Sequence, residues 1–567
     1  MPKQRIPLIG NITTRFGDTL VVSTLTDQYF ENVVFRVIQN EVTGGRSIKF
    51  RPSTIPTLIT TTASPGHAVL AWIGNSDGED IVCATGGTNA TIYFRDASAA
   101  TTYSLGTITG LAQSISETSI NGIASFIIPS TDGSMWYYGA DSGTGTQTFV
   151  GDLNSSTSIT NVVSTTGLYV GQLVTHANIP ANTRITVISG ATVTISNAAT
   201  ATAATQTITR EKLAKVIDTD YPGNQSPART VTGQVVFLDG FGHVMCTDGT
   251  IWHFDVNSMS SIGATSFLTA GQSPDSGVTL ARYQDKIMAF GTLSCEFFYN
   301  AGNTVGSVLS RVNGSTINIG ALNYASVAQI GDTIVFVGVS KSLNPGVYQY
   351  SGGGLKKIST LPIDQMLSSI RSSLIALMPW LDGGKYHIAM KTGSNSTTPM
   401  IYDPEVNIWS RWNGGSTYIP IRADVTRNAN VNTGVEGVFI DATGDLYKIS
   451  TAGPPSPSNL TSTIVTDWFD AGTMNRKSMK SVRLIGDGLG TSSAASGFQA
   501  AISWSDVDET FSTARTVYLS NANPMLMRCG VFRRRKHKLV ITSASLSTTP
   551  RQLWIEALEI DYEEWSL

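Results

Sequence analysis

The chain is poor in charge, and this shortage excludes two classes of protein. Charged residues make up 14% of the 567 positions, against about 25% in an average globular domain. Because 38 basic and 41 acidic side chains leave a formal net charge of -3, the chain has no surplus of cations for broad phosphate neutralisation on nucleic acid. A hydrophobic content of 41% excludes wholesale disorder, which requires low hydrophobicity with high net charge.

Cysteine and long apolar runs are also scarce. The four cysteines lie dozens of residues apart and form no CxxC pair: Cys83, Cys246, Cys295 and Cys529. We therefore predict buried free thiols in a chain made in a reducing cytoplasm, not a disulfide framework or a zinc knuckle. The longest apolar candidate for a membrane span, residues 374–381, is broken by Pro379. The apolar run at residues 6–9 is too short for a secretory signal, so we expect a soluble protein.

What the chain has in abundance is short alternating runs separated by Gly, Asn and Asp, a pattern typical of antiparallel strands joined by tight turns. Seven of these strands resemble one another, because each places an aromatic residue after a loop containing Gly or Pro: Tyr93, Trp136, Trp252, Phe298, Tyr348, Tyr402 and Tyr447. From Trp252 onward the steps between them are 46, 50, 54 and 45 residues. This spacing predicts an all-β protein built on a β-propeller of about six blades.

Two interruptions define the domain map. Trp136 and Trp252 are 116 residues apart, and the segment 145–209 between them has Asp152 and Arg184 as its only charged residues. Its Thr, Ser, Val and Ile alternation favours a small inserted β-sandwich. Three prolines between residues 454 and 457 indicate a stiff linker. We predict an N-terminal arm or platform segment at 1–60 and a propeller in two parts, at 61–144 and 210–452. The inserted module lies between these parts at 145–209, and a C-terminal β platform domain follows at 453–567.

One segment has helical periodicity. In residues 361–378, Pro362 suits a first turn, and one face carries an apolar stripe of Met366, Ile370, Leu374 and Leu377. We predict a helix over this segment that packs against a sheet.

The best candidate for a metal site is the group His243, Cys246 and His253. If Asp248 and Gly249 form a two-residue hairpin turn, Val244 pairs with His253 and His243 points to the opposite face of the sheet. Two ligands on one face do not make a structural zinc site, so we predict neither metal nor cofactor.

Propellers often carry glycosidases, so a glycan hydrolase is an alternative. The segment around Asp506 and Asp508 resembles the Asp-box turn of sialidases, although it lacks the usual Gly. Asp382, Glu405 and Asp445 could act as an acid and base pair, but nothing in the sequence brings two of them together. The phosphate-loop, GxSxG and HExxH motifs are all missing. We therefore predict that the chain is not an enzyme and has no catalytic residue.

The C-terminal region contains two groups of opposite charge. The basic group is Arg528, Arg533, Arg534, Arg535, Lys536 and Lys538, and the acidic group is Glu556, Glu559, Asp561, Glu563 and Glu564. On a strand, Arg533, Arg535 and His537 would share one face. One interpretation is a solvated edge strand whose charges discourage aggregation. Contact with phosphate is another interpretation. Because opposite patches on one domain suit self-assembly into a ring, we favour an interface between subunits or with a neighbouring ring.

Several landmarks resemble the tail hub or nozzle proteins of short-tailed bacteriophages, also called packaged-DNA stabilisation proteins. They are FLDG at 237–240, SPD at 273–275, the run from Gly291 through Glu296 to Gly302, Gly320 before Ser326, LKKIST, KYHIAM and RRRKHKLVI. The similarity covers most of residues 210–567 and, more weakly, the opening through Pro52. The segment 145–209 departs from this pattern and looks like a β module of various phage structural proteins.

The resemblance implies a structural protein of the virion tail, assembled in the host cytoplasm. It implies a homo-hexamer below the portal and its adaptor ring, which the two charged groups would contact. Tail fibre, tailspike or needle proteins would be further partners, and double-stranded DNA would pass through the channel during ejection without sequence-specific binding. A host receptor-binding tail protein is the other alternative, although a fibre would favour long repetitive trimeric β-structure.

Overall fold

The structure is a computed structural model. It describes residues 3–7, 29–31, 33–37, 46–50, 57–59, 64–72, 80–96, 101–120, 123–139, 147–339, 345–369, 375–382, 385–392, 399–412, 420–425, 435–450, 461–490, 497–507, 510–543 and 554–565. In these ranges nearly all regular structure is antiparallel β-sheet. None of the helices in the described ranges has the length and apolar character needed to cross a bilayer.

Five short strands come from the N-terminal part of the chain: β1 (Lys3–Pro7), β2 (Tyr29–Glu31), β3 (Val33–Val37), β4 (Arg46–Phe50) and β5 (Thr57–Ile59). All of them pair with strands that follow much later in the sequence, apart from the hairpin between β3 and β4. The opening of the chain is therefore held in place by long-range pairing.

The first two four-stranded sheets follow. Blade one is β6 (Gly66–Trp72), β7 (Asp80–Thr85), β8 (Ala90–Asp96) and β9 (Thr101–Ile108). Blade two begins with β10 (Ser116–Ile120), β11 (Ile123–Pro129) and β12 (Met135–Gly139). The next strands are β13 (Gln147–Asn154), β14 (Ser158–Thr160), β15 (Gln172–Thr175), β16 (Ile185–Ser189), β17 (Thr192–Ile195) and β18 (Thr202–Lys215). The end of β18 pairs with β12 and completes blade two.

Blades three to five are consecutive. Blade three is β19 (Val231–Leu238), β20 (Phe241–Cys246), β21 (Thr250–His253) and β22 (Phe267–Thr269), after a 3-10 turn, Pro222–Asn224. Blade four is β23 (Gly277–Tyr283), β24 (Lys286–Gly291), β25 (Cys295–Asn300) and β26 (Leu309–Arg311). Blade five contains β27 (Gly320–Ala321), a 3-10 turn at Tyr324–Ser326, β28 (Val327–Ile330), β29 (Thr333–Val339), β30 (Gly346–Ser351) and β31 (Gly354–Lys357).

The last two blades are separated in the sequence by residues 413–419. Helix α1 (Leu361–Ser369) precedes blade six, which is β32 (Ala376–Asp382), β33 (Lys385–Lys391), β34 (Met400–Asp403) and β35 (Ile408–Arg411). Blade seven is β36 (Pro420–Val425), β37 (Val435–Asp441) and β38 (Leu446–Ser450), and β5 supplies its fourth strand. The innermost strands pack against one another in blade order, and β36 packs against β6. The ring is therefore closed, with strands from both ends of the propeller sequence sharing blade seven.

The propeller prediction is confirmed, with seven blades where about six were expected. Each of the seven aromatic marker residues lies on the third strand of its blade, so the markers count the blades directly. In blades two and three, hydrogen bonds explain why the aromatic residue follows the turn. The indole of Trp136 donates to Ser134 Oγ (2.9 Å), and that of Trp252 donates to Thr250 Oγ1 (3.1 Å). Each hydroxyl donates to the aspartate that precedes it by two residues, so turn and tryptophan form one unit.

The predicted helix is too long. Among its described residues, Leu361–Ser369 form α1, whereas Leu377, which was assigned to the apolar stripe, lies in β32. Ile370 and Leu374 lie outside the described residues. Ile363 and Leu367 of α1 are buried together with Leu377 and Ile388 of blade six. Tertiary pairing of β32 with β33 overrides the local helical periodicity here.

Residues 147–209 have a hydrophobic core of their own, which includes Leu153, Ile159, Val174 and Ile208. Within this module β13 pairs with the first part of β18, and β18 continues into blade two without a break. The boundaries at 145 and 209 remain a prediction.

We expect the inserted module to be dispensable for folding. Because Gln147 pairs with Arg210, the two ends of the module lie side by side, and a short Gly-Ser linker can replace residues 148–209. The shortened chain should keep a cooperative unfolding transition and a β-type circular dichroism spectrum. Deletion of blade three, residues 231–269, is the matched control and should abolish folding, because it opens the ring. If the shortened chain loses the remaining β signal, the prediction that the module folds independently of the propeller is wrong.

The remaining strands form the terminal domain: β39 (Ser462–Val465), β40 (Lys477–Ile485), β41 (Phe498–Ser505), β42 (Arg515–Tyr518), β43 (Met525–Met527), β44 (Val531–Phe532), β45 (Lys536–Ser543), β46 (Trp554–Ile555) and β47 (Ala557–Glu564). One sheet has the order β2-β39-β45-β41-β42 and continues blade six, because β2 pairs with β35. The facing sheet has the order β1-β47-β40-β43, with β44 also on β40. Val482, Ile502, Leu539 and Ile560 are buried between them.

Candidate functional site

The predicted basic group is divided between the surface and the interior of the terminal domain. Arg528, Arg533 and Arg534 are exposed, and Lys538 is half-buried. Arg535 and Lys536 are buried, with 2% and 6% of their surface exposed. Arg535 and His537 share the inward side as the alternation predicts, but Arg533 precedes the strand and is exposed. Three of the six cations are thus free to form a surface patch.

Arg535 is held entirely by groups of its own chain. Its Nε and Nη2 donate to the two carboxylate oxygens of Asp506, at 2.6 and 2.8 Å. Its remaining N–H groups donate to the carbonyls of Cys529 and Val531. The guanidinium also lies 4.8 Å from the ring centre of Phe532. A bidentate charge pair with further hydrogen bonds is the arrangement in which a buried guanidinium is stable.

The exposed cations make fewer contacts within the chain than Arg535 does. Arg533 Nη1 donates to the carbonyl of Met474 at 3.0 Å, and Arg534 lies 4.3 Å from the ring centre of Trp468. Lys536 lies over the same indole at 4.8 Å. The patch of Arg528, Arg533 and Arg534 is available to a partner, and we refer to it as the arginine patch.

The acidic group lies on the loop before β47 and on β47 itself, beside β40. Glu563 forms an ion pair with Lys480 at 3.0 Å. Glu564 accepts hydrogen bonds from Thr473 and Asn475, which lower the pKa of its carboxyl. Glu556, Glu559 and Asp561 are half-buried. The structure thus places the acids on the same sheet as β44.

An apolar edge accompanies the arginine patch and was missed by the sequence analysis. Met525 and Met527 on β43, Val531 on β44 and Tyr518 on β42 have 38 to 59% of their surface exposed. Among the described strands, β43 pairs with β40 alone, so its other edge is open. The alternation of Met525, Leu526 and Met527, with only Leu526 buried, is the signal that could have revealed it. Exposed apolar edges of this kind mark interaction surfaces.

The histidine geometry differs from the prediction. His243 pairs directly with His253, so both lie on one face, with ring centres 5.9 Å apart. The turn has three residues between Cys246 and Thr250, and Gly249 adopts a positive φ of 82°, which shifts the register by one. Both rings are buried. No group of three His, Cys, Asp or Glu residues suited to a metal occurs in the described part of the chain.

The candidate hydrolase carboxylates lie in different elements. Glu405 is in the turn between β34 and β35, Asp445 is in the turn before β38, and the side chain of Asp382 lies outside the described residues. Asp506 is engaged by Arg535, and Asp508 lies outside the described residues. The four cysteines are free and buried, as predicted.

A cavity of about 920 Å³ runs through the centre of the propeller. Residues from the innermost strands of all seven blades line it, among them Leu70, Gln234, Arg282, Gln329 and Arg422. The cavity is large enough for a small molecule, and it is a property of the closed ring that no single sequence segment could reveal.

The closed ring of four-stranded sheets and the appended terminal domain define a β-propeller protein, and comparison with known proteins agrees with this fold. Residues 138–378, less than half of the chain, match the phage stabilisation family described as "Bacteriophage P22 Gp10, beta-propeller". The matched region extends from the third strand of blade two to the first strand of blade six. The match supports a structural bacteriophage protein, and a component of the virion, that stabilises packaged DNA.

Three solved structures are similar at a remote level, each with a TM-score of 0.34. They are a chain of the Mitotic Checkpoint Complex (10% identity, covering 69% of this chain and 97% of that chain), the computationally designed Ika8 protein (10%, 70% and 99%) and the WD40 domain of Toxoplasma gondii coronin (8%, 74% and 86%). These similarities carry no inference about function. No curated protein matches the chain.

Proposed function

We propose that the chain is a tail nozzle or hub protein of a short-tailed bacteriophage. Six copies would form a ring below the portal and its adaptor ring, and the ring would retain packaged DNA and conduct it during ejection. The observation that carries this proposal is the family match over residues 138–378. Tail fibre, tailspike or needle proteins are the neighbours we expect on the outer side, and the chain would have no catalytic role.

The propeller cavity bears on the path of the DNA. A volume of about 920 Å³ is that of a small-molecule site and cannot hold a duplex, so DNA would pass between copies and not through one. With a formal net charge of -3 per chain, the ring would not hold DNA by broad phosphate neutralisation. Retention would come from a narrow passage, through which a nearly neutral wall lets DNA slide.

The contact between neighbouring copies would use the terminal domain. The arginine patch lies next to the apolar edge formed by Tyr518, Met525, Met527 and Val531, and Glu563 and Glu564 are exposed on the same sheet. An apolar centre with a charged rim is the usual composition of a protein interface, and a head-to-tail contact of different surfaces closes into a ring. Arg535 and Lys536 would support this surface from inside.

The ring is tested by the mass and symmetry of the purified chain. Mass photometry and negative-stain class averages should show hexamers with sixfold symmetry. A monomer at all concentrations and in the presence of the adaptor ring would contradict the proposal, and an elongated trimer would favour the receptor-binding alternative.

Reversing the charge of the arginine patch should weaken this ring. The variant Arg533→Glu/Arg534→Glu leaves the buried Arg535 untouched, so the domain still folds, and its hexamers should dissociate at lower salt than those of the wild type, because rim charges act through screened attraction. Phage heads carrying it should package DNA but leak it. A control that reverses Lys286 and Lys356, on the surfaces of blades four and five, should have no effect. Hexamers of unchanged salt resistance that lose contact with DNA would place the patch at the DNA channel instead.

A further inference from the structure

The cavity at the centre of the propeller has the size and shape of a ligand site. Its volume of about 920 Å³ falls in the range of about 300 to 1,000 Å³ that small-molecule sites occupy. Its wall is made of short rigid strands from seven blades, so the groups that point into it are held in fixed positions.

Arg422, on β36, projects into this cavity without a counter-ion. Its guanidinium donates to the carbonyl of Ile421 at 2.9 Å and is hydrogen-bonded to the hydroxyl of Tyr324. No described carboxylate forms an ion pair with it. Because a guanidinium has five N–H donors, most of its hydrogen-bonding capacity is left for a guest. Burial lowers the pKa of Arg422, and the contact with Tyr324 partly opposes this shift.

The surroundings of Arg422 are ordered. Tyr324 opens the 3-10 turn Tyr324–Ser326, and Asn323 caps this turn by accepting a hydrogen bond from the Ala325 amide at 2.9 Å. His67, on blade one, lies close enough that the charge of Arg422 adds to burial in lowering the pKa of its ring. Arg422 of blade seven and Tyr324 of blade five thus form one polar corner of the cavity.

The carboxylates that line the cavity are committed elsewhere. Asp424 accepts hydrogen bonds from the amides of Ala71 and Val425, both at 2.9 Å, and the first of these joins blade seven to blade one. Glu117 also has an interaction within the chain. The positive charge of Arg422 is therefore available to an external anion.

We propose that the central cavity of the propeller binds a small oxyanion, either a carboxylate or a phosphate. Arg422 holds it through paired N–H groups, since a guanidinium matches two oxygens of such a group in a bidentate fork. The Tyr324 hydroxyl supplies a further hydrogen bond. The site is complete within one copy of the chain, so it does not depend on the proposed ring.

Isothermal titration of the full chain with inorganic phosphate and, separately, with succinate tests the site, and the two titrations distinguish the two sources of the oxyanion. Sodium chloride at matched ionic strength is the reference. At least one of the two anions should bind, and Arg422→Met should weaken its binding at least tenfold, because a charge-assisted bidentate contact is lost. Arg282→Met is the matched control: this second cavity arginine donates to the carbonyls of Gln284 and Phe237, and its loss should leave binding unchanged.

Three results would overturn the proposal: no binding of either anion by the wild type, equal weakening by Arg282→Met, or unchanged binding by Arg422→Met. If Arg422→Met does not fold, Tyr324→Phe provides the second test. This variant keeps the aromatic ring of the side chain and removes only its hydroxyl, and it should weaken anion binding by about three- to tenfold. Unchanged binding in Tyr324→Phe would then count against the site.

Discussion

Replacing Asp506 with alanine is expected to destabilise the terminal domain by about 3 kcal/mol, because the substitution leaves the buried guanidinium of Arg535 without its counter-ion. The guanidinium is 2% exposed while the carboxylate is 41% exposed, so water can reach the site of the lost carboxylate but not the arginine. Hydrogen exchange of the full chain measures the effect. Amides of β45 should exchange about a hundredfold faster than in the wild type, by the usual conversion of free energy to equilibrium constant.

A surface pair of the same domain provides the control. Glu563→Gln removes the partner of Lys480 from a pair whose members are 33% and 57% exposed, and such pairs contribute about 0 to 1 kcal/mol. Similar exchange rates in the two variants would show that Arg535 is solvated and that the bidentate contact does not stabilise the domain.

Acid is expected to destabilise the protein below pH 6.5, because two histidines are buried in the neutral form. Burial, with the neighbouring His253, lowers the pKa of His243 to about 3, and burial, with the charge of Arg535, lowers that of His537 to about 3. The ordinary value is 6.5, so the unfolded chain binds more protons below pH 6.5. The contribution of these two histidines to stability is constant above this pH and falls by about 1.4 kcal/mol per pH unit and per histidine as the pH decreases toward 3.

At pH 4.5 each histidine should therefore cost about 2 to 3 kcal/mol relative to pH 7. Urea midpoints between pH 4.5 and 8.5, at constant ionic strength, measure this loss. His243→Gln and His537→Gln should each reduce the slope between pH 4.5 and 6.5, whatever they do to stability at neutral pH. The range from pH 7 to 8.5 is the internal control, because both rings are neutral there in either state. A slope that both variants leave unchanged would show that these rings are not the source of acid sensitivity.

The propeller illustrates how far local sequence can predict a fold. Trp136, Trp252 and the other five aromatic markers each occupy the third strand of a blade, and they could be recognised because strand alternation and turn residues are local properties. The closure of the ring could not be recognised in this way. It depends on β5 pairing with β38 and on Asp424 accepting a hydrogen bond from the Ala71 amide, which joins residues about 350 positions apart.

The site residues also divide into features that the local sequence predicts and features that depend on distant contacts. The basic group was visible as a run of charges, but the run does not reveal that Arg535 turns inward to Asp506 while Arg533 and Arg534 stay exposed. The predicted pairing of His253 was wrong by one position, because one glycine at positive φ lengthens the turn. Arg422 could not be predicted as a site residue, because an isolated arginine in a strand has no sequence signature.

Composition and local pattern were sufficient to predict the all-β class, the repeated blade with its aromatic strand, the low charge, the buried free cysteines and the family likeness. Each of these depends on composition or on residues within one hairpin of each other. The three-dimensional structure was needed to show the closure of blade seven by β5, the position of Leu377 in β32, the burial of Arg535 and the position of Arg422 in the central cavity. These features arise where distant segments meet, and the free energy of packing and charge burial there exceeds the local preferences that a sequence pattern can show.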